Sequence, residues 1–236
     1  MAAPQTVIVT GASQGIGAAV VQAFLDRGYN VVGTSRSTSA VGFAPSSSLV
    51  LVDGDIGQAA TAETVAKTAI DKFGTIHHVV NNAGIFASKS FTDYTDEDFR
   101  SFVATNLGGF IFLMQLAVKQ MLSQGTGGSV TTITASLAGN PIADLPASIP
   151  MMTKGGLDAI TLSLASEYAK DRIRFNAVAP GVVDTPLQGN NPKPRSAMGT
   201  ISQPKDIADA VVYLTEADHV TGEVLHVDDG AHVGKW

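Results

Sequence analysis

Thr10-Gly11-Ala12-Ser13-Gln14-Gly15-Ile16-Gly17 follows directly on Val7-Ile8-Val9 and runs directly into Ala18-Ala19-Val20-Val21-Gln22-Ala23-Phe24-Leu25. The β-branched run before it has the character of a buried parallel strand, and the run after it has the length and composition of a helix packed on a sheet. Glycines punctuate the turn between the two. Lacking Cβ atoms, they allow a tight reversal and bring the backbone close to an anion. They also start the helix against the strand, so that its first N–H groups and its dipole face the bound group. A glycine-rich loop alone would also serve an ordinary turn. The strand before it and the helix after it make this one a phosphate cradle. Its spacing, Gly-x-x-x-Gly-x-Gly, departs from the commonest dinucleotide fingerprint, Gly-x-Gly-x-x-Gly.

At 236 residues the chain is long enough to bury one substantial α/β core, and nothing between its apolar segments reads as an inter-domain linker. One domain spanning 1–236 is expected. The absence of cysteine excludes disulfides, thiolate metal sites and a cysteine nucleophile. A net charge of −6 disfavours nucleic acid as a partner, because a phosphate backbone generally needs a basic face. The opening Met1-Ala2-Ala3-Pro4-Gln5 has no basic segment. No apolar run approaches the roughly 18 to 20 residues of a membrane span, so the expectation is a soluble cytoplasmic protein with no membrane partner.

The second strand reads as Tyr29-Asn30-Val31-Val32-Gly33-Thr34-Ser35-Arg36. In dinucleotide folds an acidic residue at the end of this strand takes the ribose hydroxyls of NAD, whereas a basic one suits the 2′-phosphate of NADP. Ser35 is not acidic, and Arg36 offers a planar fork matched to phosphate, with Ser13 and Ser37 as further donors. NADP(H) is therefore the preferred cofactor and NAD(H) the alternative; Arg36 also fits a solvated loop charge. A loop over 37–48 leads to a third strand, Leu49-Val50-Leu51-Val52-Asp53, and a helix over 61–73 ends at Gly74. His77-His78-Val79-Val80 is the fourth strand, and Thr95-Asp96-Glu97-Asp98 opens a helix with a capping hydroxyl and an acidic first turn.

Asn106 lies in a long helical pattern through Phe110, Leu113, Met114, Ala117 and Met121, where a buried amide requires partners. The fifth strand is Gly127-Gly128-Ser129-Val130-Thr131-Thr132-Ile133, with Ser136 just beyond its end, where ligands of parallel α/β sheets bind. An apolar helix over 157–169, a sixth strand over 173–178, a substrate flap over 187–203, a helix over 205–214 and a strand over 222–230 complete the chain. His226 and His232 stand isolated, so no metal site is expected.

Several of these stretches occur together in an order that resembles the short-chain dehydrogenase/reductase family: Thr10 to Gly17, Asn81-Asn82-Ala83-Gly84, Asn106, Ser136, Lys154 and Ala179-Pro180-Gly181-Val182-Val183-Asp184-Thr185. The resemblance covers essentially the whole chain. It implies an α/β fold, a Rossmann-like doubly wound parallel sheet of about seven strands with helices on both faces. It also implies that Gly11, Ser13, Gln14, Gly15, Ile16 and Gly17 hold the dinucleotide with Ser35 and Arg36. Asp55 would meet the adenine amino group and Ile56 would line the adenine slot; Asp55 also fits an Asx-type turn. Asn82, Ala83 and Gly84 would pass the nicotinamide ribose, and Pro180, Gly181, Val183 and Thr185 would touch the nicotinamide amide and the pyrophosphate. Ser136 matches the catalytic serine, Lys154 the ribose-binding lysine, and Asn106 the residue that holds a water in a proton relay. A capping or kink role is the other reading of Asn106. The family often forms tetramers through its fourth, fifth and last helices and final strand, so a homotetramer or homodimer is implied.

At one position the resemblance breaks. The family's Tyr-x-x-x-Lys signature is met here by Pro150-Met151-Met152-Thr153-Lys154. A spacing of four puts the pair on one helical face, where the ammonium readies the phenol for proton transfer. Proline has no proton to give. It is tolerated within a first helical turn, so the fold need not suffer. Ser136, Ser148, Thr153 and Asp144 are the nearby protic groups, and Tyr94 and Tyr168 are out of register. Two functions follow. One is an NADP(H)-dependent oxidoreductase acting on a small-molecule carbonyl or alcohol with atypical proton transfer; the other is a catalytically inactive NADP(H)-binding protein on the same scaffold.

Overall fold

The computed structural model describes residues 3–38, 42–189 and 192–234. Positions 39–41 of the expected loop 37–48, and 190 and 191 of the expected flap, lie outside the described residues. The strands are β1 (Thr6–Thr10), β2 (Asn30–Ser35), β3 (Leu49–Asp53), β4 (His78–Asn81), β5 (Gly128–Ile133), β6 (Ile173–Pro180) and β7 (Val224–Val227). They form one sheet in the order β3-β2-β1-β4-β5-β6-β7, every neighbouring pair parallel. The chain builds outward from β1 to β3, returns past β1 to β4, and builds outward again. The C-terminal ends of β1 and β4 therefore flank a crevice at the reversal, the place where such sheets bind ligands.

The pleat divides the core in two. In β1, Val7 and Val9 point to one face and Ile8 to the other, and all are fully buried because helices cover both faces. Helices α1 (Gly15–Asp26) and α6 (Pro204–Glu216) pack with Val20, Phe24, Ile207 and Leu214 on the first face. Helices α2 (Ala59–Phe73), α4 (Gly109–Gln124) and α5 (Ser148–Glu167) cover the second with Val65, Leu113, Met121 and Leu157. Arg174 ties β6 to α6, donating to the last-turn carbonyls of Leu214 at 2.7 Å and Thr215 at 2.5 Å.

Strands β2, β4 and β5 differ from the sequence expectation by one residue at one or both ends, and β6 and β7 differ by more. β6 runs on through Ala179 to Pro180, since a proline costs nothing at a strand's end. β7 is shorter than 222–230 because Gly222, Asp229 and Gly230 have left-handed backbone (φ +77, 54 and +79°), which no strand accommodates.

The helix capped by Thr95 has the expected capping hydroxyl, and Asp98 completes a capping box with it: the Asp98 N–H donates to Thr95 Oγ1 at 3.1 Å, and the Thr95 N–H donates to Asp98 Oδ2 at 2.9 Å. Helix α3 (Asp96–Phe102) continues through a π-helical segment, Val103–Gly108, into α4. The combined run, Asp96–Gln124, is long and apolar enough to cross a membrane by length and composition only, a test that a core helix also passes. It reaches that length by threading Thr105 and Asn106 into one helix. Phe110, Leu113, Met114, Ala117 and Met121 along it are buried in the core.

Candidate active site

The glycine loop is shaped by backbone proximity. A Cβ on Gly17 would lie 2.0 Å from the Gly11 carbonyl oxygen, so no other residue fits there, and Gly11 and Gly15 have φ of +68 and +54°. Helix α1 starts at Gly15 with no side-chain cap from Gln14. Its first-turn N–H groups have no intrahelical acceptor, and Gly15, Ile16 and Gly17 line an open cavity of about 390 Å³. Thr10 and Asn82 lock β1 to the loop after β4. The Thr10 hydroxyl accepts from the Asn82 and Ala83 N–H groups at 3.0 and 2.9 Å, and Asn82 Nδ2 donates to the Thr10 and Gly11 carbonyls at 2.9 and 3.2 Å.

The same cavity is lined by Gly11, Ser13, Gln14, Ser35, Arg36, Asp55, Ile56, Ala83 and Gly84. Ser35 Oγ donates to the Ser37 carbonyl at 2.9 Å, and Arg36 is exposed with no ion pair among the described residues. Asp53, the register partner of Ser35 on β3, is already engaged. The Thr38 hydroxyl and N–H both donate to its Oδ1 at 2.7 Å, and these bonds hold its carboxyl below the usual range. The arginine therefore meets no competing free carboxylate on that register pair. Asp55 does form the Asx-type turn, with Oδ1 accepting from the Gly57 N–H at 2.9 Å. Ile56 is buried in the core as well as reaching the cavity wall.

A second cavity, about 450 Å³, adjoins the first and shares Ile16, Asn82, Gly84, Ile85, Thr185 and Leu187 with it. Ser136, Lys154, Pro180, Gly181 and Val183 line it. Ser136 is 6% exposed and its carbonyl is fixed by Asn140 Nδ2 at 3.1 Å. Lys154 Nζ donates to the Ile133 carbonyl at 2.7 Å, which spends one of its three protons and leaves two. Burial pushes the Lys154 ammonium down to about 8, against the pull of the Asp158 carboxylate one turn along α5. Burial likewise raises the Asp158 carboxyl, while Thr134, His226 and Lys154 draw it down.

Asn106 sits in the π-helical segment, 1% exposed, with its side chain fully engaged. Its Oδ1 accepts from the Ile85 N–H at 2.9 Å, and its Nδ2 donates to the Ile85 carbonyl at 3.2 Å and to Thr153 Oγ1 at 2.9 Å. The amide clamps the loop after β4 to α5. Gly84 lies inside this clamp, where a Cβ would come within 3.1 Å of Lys154 Nζ and 3.3 Å of Asn106 Oδ1.

Pro150 is buried, lines the second cavity, and occupies the third position of α5. No helix bond is lost there, and the Met151 N–H bonds to the Ala147 carbonyl at 2.9 Å. The other protic candidates are elsewhere. Asp144 and Ser148 are exposed and line neither cavity, and the Thr153 hydroxyl donates to the Pro150 carbonyl at 2.7 Å. Tyr94 donates to the Ala87 carbonyl at 2.8 Å, away from the cavity wall. The titratable side chains lining the second cavity are Lys154, Lys193 and Arg195.

The sequence reading passed over the bridging hydroxyl of Thr10, the engagement of Thr153 with Asn106, and the two basic residues 193 and 195. Only Thr10 carried a local signal, as the last residue before the glycine turn. His226 and His232, read as isolated, stack with ring centroids 4.0 Å apart, and His232 Nδ1 lies 2.9 Å from Asp228 Oδ2. Among the described residues no group of three or more metal-ligating His, Asp or Glu side chains occurs.

A family model described as enoyl-(acyl carrier protein) reductase matches residues 11–232. The chain is 35% identical over 243 residues to the 3alpha-hydroxysteroid dehydrogenase of Mediterraneibacter gnavus, covering 95% of each. Its structure is similar to that of a short-chain type dehydrogenase/reductase from Mycobacterium marinum, with a TM-score of 0.90, 25% identity, and 98% and 97% of the two chains covered. It is also similar to 3-ketoacyl-(acyl-carrier-protein) reductase from Brucella melitensis complexed with NADH, with a TM-score of 0.90, 26% identity, and coverage of 98% and 99%. A crevice at the sheet reversal, a glycine cradle and relatives matched end to end are one pattern, and the chain belongs to the short-chain dehydrogenase/reductase family.

Proposed function

We propose that the protein is an NADP(H)-dependent oxidoreductase interconverting a small-molecule carbonyl and alcohol, with proton transfer that uses no tyrosine. The observation that carries this reading is a dinucleotide cradle whose residues all face two joined cavities, beside a proline where the phenol would stand. The cradle suits a dinucleotide in three respects: close backbone at Gly17, unpaired helix N–H groups at α1, and the arginine after β2. The Brucella melitensis relative carries NADH in its structure, which supports a nicotinamide dinucleotide in general. The preference for NADP(H) rests on Ser35 and Arg36.

NADPH, when bound, would supply the hydride to the substrate carbon and leave as NADP⁺. The Ser136 hydroxyl, which has no protein partner among the described residues, donates to the substrate oxygen and polarises it. Lys154 holds the nicotinamide ribose with its two remaining protons, while the Ile133 carbonyl fixes the ammonium. The Asn106 amide is spent on Ile85 and Thr153, so its contribution is to position the loop carrying Gly84 and the helix carrying Lys154. The proton would come from solvent water entering the second cavity, which Pro150 and Lys154 both line, and the hydroxide left behind would be neutralised by the bulk buffer. Exposed Ile111, Leu122, Met152 and Leu162 on α4 and α5 support a homotetramer or homodimer.

A second reading is favoured by Pro150 alone: an inactive NADP(H)-binding protein that uses the scaffold as a sensor or structural subunit. Pro150→Tyr separates the two. With carbonyl substrates in excess, the oxidoreductase reading expects measurable NADPH oxidation in the wild type and a rise of about 100-fold in the variant, the usual value of a positioned general acid. NADPH binding with no turnover in either protein across a broad carbonyl panel would favour the inactive reading.

A further inference from the structure

The second cavity joins an apolar wall to an excess of positive charge. Phe86, Leu137, Ile142, Leu145 and Met151 line it, and Lys193 and Arg195 line it with Lys154. Among the described residues no Asp or Glu does, in a chain whose acidic residues outnumber its basic ones 21 to 15. Neither Lys193 nor Arg195 has an ion pair or side-chain hydrogen bond among the described residues. The carboxylates of the neighbouring segment are engaged or turned away. Asp228 holds His232 at 2.9 Å, Asp229 accepts from Ser202 at 3.4 Å, and Asp184 is exposed outside the cavity wall. Lys193 is exposed and Arg195 half-buried, so both are reached by solvent, and cations of one sign beside an apolar wall raise the local concentration of anions. Apolar side chains beside them would accept only a ligand that is apolar over most of its length.

We infer that the substrate is amphipathic, an apolar body ending in an anion such as a carboxylate, with Lys193 and Arg195 holding the anion. That the reacting group is a carbonyl or hydroxyl at Ser136 rests on the oxidoreductase reading; the recognition of the anion does not. Arginine and lysine together give a bidentate fork and a point charge, a pair that binds carboxylates without demanding one fixed geometry.

The test uses octanoate and its neutral isostere octanamide, neither of which turns over. Each is titrated calorimetrically into the full-length protein saturated with NADP⁺ at pH 7.5. NADPH affinity is followed separately by fluorescence. The expected result is octanoate binding at least tenfold tighter than octanamide. In Lys193→Glu/Arg195→Glu that preference collapses to within twofold while NADPH affinity stays within twofold of wild type. Lys193→Gln/Arg195→Gln, a milder pair, falls between. Equal binding of the two probes by the wild type, or a preference that survives both double variants, would overturn the inference. So would a tenfold loss of NADPH affinity with selectivity intact, which would assign the cations to the cofactor instead. Absence of hydride transfer would count against the oxidoreductase reading and leave the octanoate comparison untouched.

Discussion

Position 150 holds a buried proline in the first turn of α5, on the wall of the cavity that Ser136 and Lys154 also line. Ser136 is within the same cavity, Lys154 is one turn further along the helix, and Gly84 leaves room for the ammonium. The tolerance of proline was legible in the sequence because the first helical turn has no bond to lose. The commitment of Asn106 was not, because its partners Ile85 and Thr153 lie 21 and 47 residues away. Lys154 yields a pH prediction. Burial lowers its ammonium to about 8, so the group is charged below that pH and neutral above it. NADPH affinity should fall severalfold between pH 7.5 and 9.5 in the wild type and stay flat in Lys154→Met; equal slopes would dissociate the lysine from cofactor binding. Gly17→Ala tests the cradle. With the Gly11 oxygen 2.0 Å from the new carbon, unfolding should be easier by at least about 2 kcal/mol, and NADPH affinity should drop more than tenfold.

Among the elements, the π-helical segment Val103–Gly108 was hidden in the sequence, where it reads as part of one continuous helical pattern with only a cap or kink at Asn106 as an alternative. Such segments recur at functional sites, and this one presents Asn106 to Ile85 and Thr153. Asn106→Ala leaves the half-buried Ile85 N–H without its acceptor and the buried Thr153 hydroxyl without its donor, and should cost about 1–3 kcal/mol in urea unfolding. A loss below about 0.5 kcal/mol would mean that the clamp carries no weight. Strand β4 makes the fold acid-sensitive. His78 bonds Ser129 Oγ at 2.9 Å and Gln5 Oε1 at 3.0 Å, and burial, with His77 and Arg174 nearby, lowers its ring to about 3. The unfolded chain takes up a proton below about 6.5 that the folded one refuses. Stability is therefore full above that pH and is lost as the pH falls from there towards 3, by at most about 1.4 kcal/mol per unit. His78→Gln should flatten the dependence of the urea midpoint between pH 7 and 5, and an unchanged slope would place the acid sensitivity elsewhere.

At the scale of the molecule, the succession of strands and helices was legible because its signals are local: β-branched runs, glycine turns and capped helices each constrain the backbone where they stand. The basic residues 193 and 195 were not, because they belong to an irregular loop with no period to read, and only folding brings them to the cavity of Ser136. The crevice at the reversal of the sheet gathers the ends of β1, β2 and β4 with the start of α1 into one wall, with Arg36 at one end and Lys154 in the adjoining cavity. This arrangement supports binding of a nicotinamide dinucleotide more firmly than it supports any one chemistry. The most direct measurement is a fluorescence titration of the purified protein with NADPH and with NADH. Binding of NADPH at least tenfold tighter than NADH, with the difference lost in Arg36→Ala, is the predicted result; failure to bind either dinucleotide, or tighter binding of NADH, would contradict it.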